Sequence, residues 1–292
     1  MSTVTIDQSI NNTGNVRYIR IGTGGIQINA NIATAGDALQ FDGNVTLGAG
    51  STITLASGSA AGSTLTLAGT LAGGGSSLAV TGNAVINGAV SGVANLSVSG
   101  TTTINTPSIT TSGGQTYTGA VTLTQDVTLG SSGSGAITFS GAVDGPRSLT
   151  VNTTGITTFS AAVGGVTSLT SLTTDTGGTV SLQSVTTTGV QSYGEDATLN
   201  GNYATADSLF SVAGATTLST DATVSTGSGA ITFSSYVDGA FNLTANSTGA
   251  TTFGGVVGGS TPLTSLTTNA GGTVSLQSVT TTGAQQYGEA AT

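Results

Sequence analysis

The sequence predicts an all-β protein, namely a parallel β-helix (β-solenoid) with coils of about 19 residues. Three observations lead to this fold class. Segments of the chain repeat, apolar side chains alternate with Thr and Ser over short runs, and glycine punctuates those runs. Each short run is predicted to be one strand, and each glycine-rich stretch a corner between strands.

The composition supports strands and argues against helices. The 292 residues include 47 glycines, and only 5% are charged, against roughly a quarter in an average globular protein. The apolar residues are mainly Val, Ile, Leu and Ala among many Thr and Ser, which is a β composition. Helical periodicity is not evident, and glycine is too dense for helix interiors.

The repeat is clearest in one twelve-residue segment. "SVTTTGVQSYGE" at 184–195 recurs as "SVTTTGAQQYGE" at 278–289, and the surrounding residues 134–195 match 228–289 without a gap. Two looser copies lie upstream, "SITTSGGQTY" and "NIATAGDALQF". The aromatic residues that close the four copies are Phe41, Tyr117, Tyr193 and Tyr287, at intervals of 76, 76 and 94 residues.

These unequal intervals favour a solenoid over a β-propeller. They differ by 18 residues, so we expect four units in each shorter interval and five in the longer one. The extra unit is predicted to contain "GNYATADSLFSVAGAT", Gly201–Thr216, which has no upstream counterpart. Propeller blades need about 40–50 residues, whereas a solenoid can gain one coil without changing the rest.

The predicted domain organisation is a solenoid preceded by a short irregular region. Residues 1–25 are expected to form an irregular first coil or a cap, with "NNTGNVRYIRIG" carrying Arg17 and Arg20 as the candidate cap. Residues 26–292 are expected to form a continuous β-solenoid. We expect it to be a fragment of a longer repeat protein, because "QQYGEAAT" stops where the copy "QSYGEDATL" continues. The first residues lack the basic and apolar regions of a signal peptide.

Charge and residue types exclude several function classes. The net charge is −9, with three arginines and no lysine, so neither nucleic acid nor an anionic membrane surface is an expected partner. No run approaches the roughly 18 apolar residues that membrane insertion requires. Without His, Cys or Lys, histidine triads, thiolate metal sites and Schiff bases are excluded. We therefore predict no enzyme, and no catalytic, cofactor-binding or metal-binding residues.

The carboxylates are the remaining candidates for chemistry. Glu195 and Asp196 are adjacent, so on a strand they would face opposite ways, and Glu289 alone repeats downstream. A solvated corner is the preferred interpretation of both glutamates. Asp144 and Asp238 each precede glycine and are predicted to lie in tight turns, with calcium binding as the alternative. Asp126 and Asp221 are likewise assigned to turns.

Two surface roles are weighed against structural ones. The four closing aromatic residues are predicted to fill the core or cover a corner, with a sugar-binding stripe as the alternative. Repeated Thr-x-Thr, as at Thr52–Thr54, raises an ice-binding face, which would need one Thr pair per coil at a fixed register. The uneven units argue against that regularity.

Three segments resemble a known family: "GQTYTGAVTL", "GAITFSGAVDG" and "SVTTTGVQSYGEDATL". They are similar to repeats of large bacterial exoproteins of the filamentous haemagglutinin type, and the resemblance extends from about Ile26 onward. It implies a right-handed parallel β-helix, export through an outer-membrane partner pore, and a role in adhesion or biofilm. The family's N-terminal secretion domain, with its asparagine-proline motif, is not visible, and the matching repeats carry no site residues to transfer.

The resulting hypothesis is a structural repeat segment of a secreted or cell-surface (outer-membrane associated) bacterial fibre or adhesin. Its expected partners are neighbouring repeats, copies of itself, and host or matrix glycans. The alternatives are a self-assembling extracellular filament subunit and, less favoured, a polysaccharide-active solenoid enzyme or an ice-binding protein.

Overall fold

The computed structural model describes residues 3–11, 18–22, 24–58, 63–269 and 271–292, and every regular element among them is a β-strand. The fold is the predicted parallel β-solenoid, with about 14 turns at a spacing of roughly 20 residues. The chain divides into two compact units, Met1–Val143 and Asp144–Thr292, which are described separately. No helix in the described residues has the length and hydropathy needed to span a membrane.

The strands of the first unit are short, mostly of two to four residues. They are β1 (Val4–Ile6), β2 (Ile10–Asn11), β3 (Tyr18–Ile21), β4 (Ile26–Ile28), β5 (Ile32–Ala33), β6 (Ala38–Phe41), β7 (Val45–Leu47), β8 (Thr52–Gly58), β9 (Thr64–Leu67), β10 (Leu71–Ala72), β11 (Ser77–Ile86), β12 (Val90–Val93), β13 (Leu96–Val98), β14 (Thr102–Ile104), β15 (Ser108–Thr111), β16 (Gln115–Tyr117), β17 (Val121–Leu123), β18 (Val127–Ser131) and β19 (Ile137–Phe139).

The remaining strands begin with β20, which starts at the last residue of the first unit. They are β20 (Val143–Asp144), β21 (Ser148–Thr153), β22 (Ile156–Phe159), β23 (Ser171–Thr174), β24 (Thr179–Leu182), β25 (Val185–Thr186), β26 (Gln191–Tyr193), β27 (Asp196–Leu199), β28 (Asn202–Ala204), β29 (Phe210–Val212), β30 (Thr216–Leu218), β31 (Ala222–Gly227), β32 (Ile231–Phe233), β33 (Val237–Asp238), β34 (Asn242–Ser247), β35 (Ala250–Phe253), β36 (Ser265–Thr268), β37 (Thr273–Ser275), β38 (Gln285–Tyr287) and β39 (Ala290–Ala291).

The first unit stacks its strands into three parallel sheets. Sheet A1 has the order β1-β4-β7-β10-β12-β15-β18. Sheet A2 has the order β2-β5-β8-β11-β13-β16-β19. Sheet A3 has the order β3-β6-β9-β11-β14-β17, with the long strand β11 turning a corner between A2 and A3. One coil therefore contributes one strand to each sheet in turn.

The second unit has the same architecture. Sheet B1 has the order β21-β23-β26-β29-β32-β35-β37-β39. Sheet B2 has the order β22-β24-β27-β30-β33, and sheet B3 the order β25-β28-β31-β34-β36-β38. Because all pairs are parallel and lie in successive coils, the backbone hydrogen bonds join one coil to the next.

Alternation along each strand creates the core. In β34 and β18 the residues alternate between buried and partly exposed along the strand, as the period of two requires. The buried set is apolar in nearly every coil, for example Leu149 and Leu172, which are paired neighbours and 0% exposed. Most of the described strand pairs keep an unbroken register despite unequal coil lengths, and the register shifts within the pairs β8–β11, β12–β15 and β31–β34.

The repeat interval is not a whole number of turns, so the expectation of four and five units per interval is wrong. Phe41 on sheet A3 is followed by its paired neighbours Leu67, Ile86 and Ile104 over three turns. Tyr117 then lies two sheets further on, in A2. The sequence copy thus returns one sheet short of a full turn.

The second unit shows the same offset. From Ser192 in sheet B1, paired neighbours follow at Ser211, Thr232, Thr252 and Ser275, which makes four turns. The next copy, ending in Tyr287, lies two sheets later in B3. The motif is therefore placed on a different sheet each time it recurs within a unit.

The predicted extra coil is present. Strands β28, β29 and β30 belong to sheets B3, B1 and B2 and add one complete turn. This turn contains nearly all of Gly201–Thr216, the segment without an upstream counterpart. A whole coil can be inserted because each turn contacts only its neighbours in the stack.

The beginning of the chain is also coiled in part. Strands β1, β2 and β3 pair in parallel with β4, β5 and β6 of the following coil. The candidate cap includes residues 12–17, among them Arg17, which lie outside the described residues.

Candidate functional site

The repeated twelve-residue segment forms a buried polar corner. In the copy ending at Glu195, the Tyr193 hydroxyl donates to Gln191 Oε1 at 3.2 Å. Gln191 Nε2 lies 2.8 Å from Ala204 O of the next coil, 3.2 Å from Val185 O, and 3.3 Å from Thr187 Oγ1. Gln191 and Tyr193 are both 0% exposed, so the amide joins a tyrosine, its own coil and the neighbouring coil inside the core.

The same corner recurs upstream around Gln115 and Tyr117, although the neighbouring sequence differs. Gln115 Nε2 donates to Gly130 O of the next coil at 2.8 Å and to Ile109 O at 3.2 Å. Tyr117 donates its hydroxyl to Gln115 Oε1 at 2.9 Å. The earliest copy has Leu39 and Phe41 at these two positions, so the polar pair is replaced there by an apolar pair.

Three of the four closing aromatic residues are therefore core residues, as predicted. Phe41, Tyr117 and Tyr193 are all 0% exposed, and burial raises the pKa of both tyrosine hydroxyls above the usual value. Tyr117 stacks on Phe139 of the next coil with ring centroids 5.2 Å apart. Tyr287, the fourth closing residue, is partly exposed, so the core prediction holds for three of the four, and the buried rings of those three cannot form a sugar-binding stripe.

We expect Gln191→Leu to destabilise the protein by about 2 kcal/mol. The substitution leaves the buried Tyr193 hydroxyl without its acceptor, and an unsatisfied buried polar group costs roughly 1–3 kcal/mol. Adding Tyr193→Phe should recover part of that loss, because the double variant reproduces the Leu39–Phe41 pair. Urea unfolding followed by circular dichroism measures both effects.

The chain supplies a matched control in its final copy. Gln285 makes the same contacts to Tyr287 and Thr281 but is exposed, so Gln285→Leu should change stability by less than about 0.5 kcal/mol. Equal losses for the two substitutions, or a double variant weaker than Gln191→Leu alone, would contradict the buried-network interpretation.

Most of the aspartates tie one coil to another. Asp144 Oδ1 accepts from the Val166 and Thr167 amides at 2.9 and 3.0 Å. Asp238 Oδ1 makes the equivalent contacts with Ser260 and Thr261 at 3.0 and 3.1 Å. Further aspartate contacts of this kind join Asp175 to Thr153, Asp196 to Ala215, Asp207 to Ser228, and Asp221 to Asn242.

These contacts refine the predicted turn roles. Gly145 and Gly239, which follow Asp144 and Asp238, have φ values of 130° and 135°, a region that glycine adopts without strain. The aspartate before each glycine binds the loop of the next coil as well. Hydrogen bonds to Asn242 lower the pKa of Asp221, as expected for a carboxylate that accepts backbone and side-chain N–H groups.

Glu195 is the exception among the acids. It is 3% exposed, and neither carboxylate oxygen has a hydrogen-bond partner in the described part of the chain; the same holds for Thr174 Oγ1. Burial raises the pKa of Glu195 to about 7, and the Asp175 carboxylate adds to the effect. The prediction of a solvated corner is therefore wrong for Glu195. Glu289, its copy, is partly exposed.

The described acids do not converge on a metal. Within those residues, no three or more His, Cys, Asp or Glu side chains are placed to hold one ion. Calcium would need several oxygen ligands around a common centre. The aspartates are spread over successive coils, where their oxygens accept backbone amides.

The outer surface of sheet B1 carries a single file of hydroxyl groups. Its members, paired coil to coil, are Thr150–Thr173 and Ser192–Ser211–Thr232–Thr252–Ser275, with Thr173 paired to Ser192. The register is regular despite the uneven coils, contrary to expectation. The outward positions two residues earlier include Val190, Ala230 and Ala250, so this sheet does not form the Thr pairs that an ice-binding face would need.

An open groove of about 680 Å³ lies on the second unit. Its lining includes Tyr236 and Val256, which are 48% and 39% exposed, and Asp238, which is 8% exposed. Sequence reasoning missed this groove. A difference between the two near-identical copies could have revealed it, because Ser235–Tyr236 replaces Gly141–Ala142 of the upstream copy.

Comparison with known proteins assigns no family. No family model, curated protein or solved structure matches the chain. The function is therefore argued from the solenoid, the coil-to-coil contacts and the groove.

Proposed function

We propose that this chain is a structural repeat segment of a secreted or cell-surface bacterial fibre or adhesin. Its role is mechanical: stacked coils give a stiff scaffold that holds binding surfaces in place. Its partners are the neighbouring repeats of the same fibre, and further copies of the chain are partners only in the filament alternative. The surface location is proposed from the resemblance of the three segments quoted above to repeats of filamentous haemagglutinin-type exoproteins.

The observation that carries this proposal is that polar side chains form hydrogen bonds between neighbouring coils. Aspartates that an enzyme could use for acid–base chemistry accept backbone amides from coils that lie 19 to 23 residues away, as Asp196 does with Ala215 and Asp238 with Thr261. The buried glutamines Gln191 and Gln115 donate through Nε2 to backbone carbonyls of the next coil. A chain whose polar groups hold adjacent coils together is built to resist opening of the stack.

The core adds to that rigidity. In the second unit Phe233 stacks on Phe253 with centroids 5.3 Å apart, and large aromatic and aliphatic side chains at 0–2% exposure fill successive coils. Close-packed interiors have low compressibility and transmit strain. This property suits a scaffold that carries force.

The first test is the assembly state of the purified chain over a concentration series. Light scattering should give a 27.9 kDa species at every concentration, and electron microscopy should show separate particles. Concentration-dependent fibres would instead favour the self-assembling filament subunit, because unpaired strand edges at the end of a stack can recruit another copy.

The second test addresses location and catalysis. Antibody against the chain should label intact cells of the source organism, and labelling that requires permeabilisation would contradict the surface role. Incubation with a panel of polysaccharides should release no new reducing ends. Release that is lost in a carboxylate variant would replace the scaffold proposal with the solenoid-enzyme alternative.

A further inference from the structure

The groove on the second unit has an apolar floor shared by two coils. Tyr236 and Val256 precede Val237 and Val257, which pair with each other in adjacent coils. The Val237 amide donates to Val256 O at 3.1 Å, which fixes the two exposed side chains beside one another. Among the large apolar side chains that the structure describes as exposed, Tyr236 has the only aromatic ring.

The polar side of the groove is partly preorganised. Asp238 is 92% buried, and its Oδ1 is occupied by the Ser260 and Thr261 amides, which holds the carboxylate in one orientation. Within the described residues, no hydrogen bond is made by Asp238 Oδ2 or by the hydroxyls of Ser235 and Ser260. Gln277 donates to Gly254 O through Nε2, so its Oε1 remains as an acceptor.

Comparison with the upstream copy shows which groove residues belong to the repeated coil and which occur only here. Asp144 binds the amides of Val166 and Thr167 in the next coil, as Asp238 binds those of Ser260 and Thr261, so that contact belongs to the coil design. At the positions of Ser235, Tyr236 and Ser260 the upstream copy has Gly, Ala and Val. The ring and both hydroxyl groups are therefore additions to a coil that folds without them.

We propose that this groove binds a neutral oligosaccharide, with one pyranose ring lying against the exposed face of Tyr236. A sugar ring has an apolar C–H face, which suits an aromatic surface, and a rim of hydroxyl groups. Those hydroxyls can donate to Asp238 Oδ2 and Gln277 Oε1 and exchange hydrogen bonds with Ser235 and Ser260. The volume lies within the roughly 300–1,000 Å³ of small-molecule sites.

Charge decides the class of saccharide. The groove contains a carboxylate and no arginine, and the whole chain carries −9, so an anionic saccharide would be repelled. The inference extends the proposed adhesive scaffold by naming a ligand class and a place. It does not depend on whether the chain forms fibres.

The test is saturation-transfer NMR on the full chain with cellohexaose, maltohexaose and hexagalacturonate, followed by titration. We expect at least one neutral hexasaccharide to bind with a Kd of about 1 mM or tighter, and hexagalacturonate not to bind. Tyr236→Ala should weaken binding by at least about tenfold. The triple variant S235G/Y236A/S260V, which restores the upstream residues, should abolish it.

Two controls keep the result interpretable. Ile156→Ala removes another exposed apolar side chain of the second unit, outside the groove, and should leave binding unchanged. Circular dichroism should show that the triple variant keeps its strand content and unfolding midpoint. Absence of binding to both neutral sugars, binding that survives Tyr236→Ala, or a preference for hexagalacturonate would overturn the inference while leaving the scaffold proposal intact.

Discussion

Replacing Phe210 with alanine is expected to lower the free energy of unfolding by about 3–5 kcal/mol, the usual cost of deleting a buried ring. Phe210 is 0% exposed. Its ring centroid lies 5.8, 5.6 and 5.7 Å from those of Tyr193, Tyr203 and Phe233. The substitution therefore removes one ring from the centre of a cluster and leaves a cavity that the flanking strands cannot close.

The position of Phe210 makes this a test of the inserted coil. Tyr203 and Phe210 both belong to the added turn, while Tyr193 and Phe233 lie in the coils on either side. The Tyr203 hydroxyl donates to Leu182 O at 3.1 Å and accepts from the Asn200 amide at 2.9 Å. The added coil is thus joined to its neighbour by ring contacts and by hydrogen bonds.

Urea unfolding measures the effect, and Tyr236→Ala is the control. Tyr236 is exposed, so its loss should change stability by less than about 0.5 kcal/mol. Phe210→Leu should cost less than Phe210→Ala, because it retains more of the buried volume. A loss below about 1 kcal/mol for Phe210→Ala would show that the cluster is not tightly packed.

The second large effect concerns the dependence of stability on pH. Burial raises the pKa of Glu195 to about 7 in the folded chain, from 4.5 for the solvated carboxyl group of the unfolded chain. The folded state therefore binds more protons between these values, and stability falls as pH rises from about 4.5 through 7. Linkage gives a total loss of about 3 kcal/mol. The loss is complete above the folded pKa and absent below the unfolded one.

Glu195→Gln removes the ionisation and should remove this slope. At pH 8 the variant should be more stable than the parent by up to about 3 kcal/mol, and near pH 5 the two should be similar. Urea midpoints at pH 5, 6, 7 and 8 measure the difference. Glu289→Gln, in the partly exposed copy, should retain the slope. A parent protein whose stability is flat over this range would show that Glu195 is hydrated in the folded chain.

Asp207 and Asp42 act in the opposite sense and at lower pH. Hydrogen bonds to Ser228 lower the pKa of Asp207, and a side-chain hydrogen bond from Gln40, aided by Arg20, lowers that of Asp42. Their contribution is present above the unfolded pKa of 3.8 and is lost as pH falls further. Measurements from pH 5 upward therefore isolate Glu195.

Much of the architecture could be predicted from the sequence because it depends on local patterns. Alternation of apolar and hydroxyl residues predicts strands with one buried side, and the unequal intervals predicted an extra coil at Gly201–Thr216. The core role of Tyr117 and Tyr193 followed from their spacing. Each of these inferences needs only the pattern and spacing of residues along the chain.

The remaining features depend on which coil lies beside which. Gln191 is an ordinary polar residue in the sequence, and its role arises because Ala204 O lies above it. Glu195 is adjacent to Asp196, yet one is buried and the other binds the Ala215 amide. The groove needs Tyr236 and Val256 side by side from different coils. The contact of Gln191, the burial of Glu195 and the groove all depend on the register between neighbouring coils. That register cannot be deduced from the sequence of one repeat.

The return of each sequence copy one sheet short of a full turn has an evolutionary consequence. Duplicating or deleting one copy acts as a screw operation. It lengthens or shortens the stack, and it also shifts every residue that follows from one sheet of the solenoid to the next sheet. A corner such as the Gln191–Tyr193 pair tolerates this, because the same hydrogen bond from tyrosine to glutamine forms in sheets A2, B1 and B3. A surface feature such as the groove would be carried to another side. Recombination between copies therefore preserves the interior while redistributing what the exterior presents.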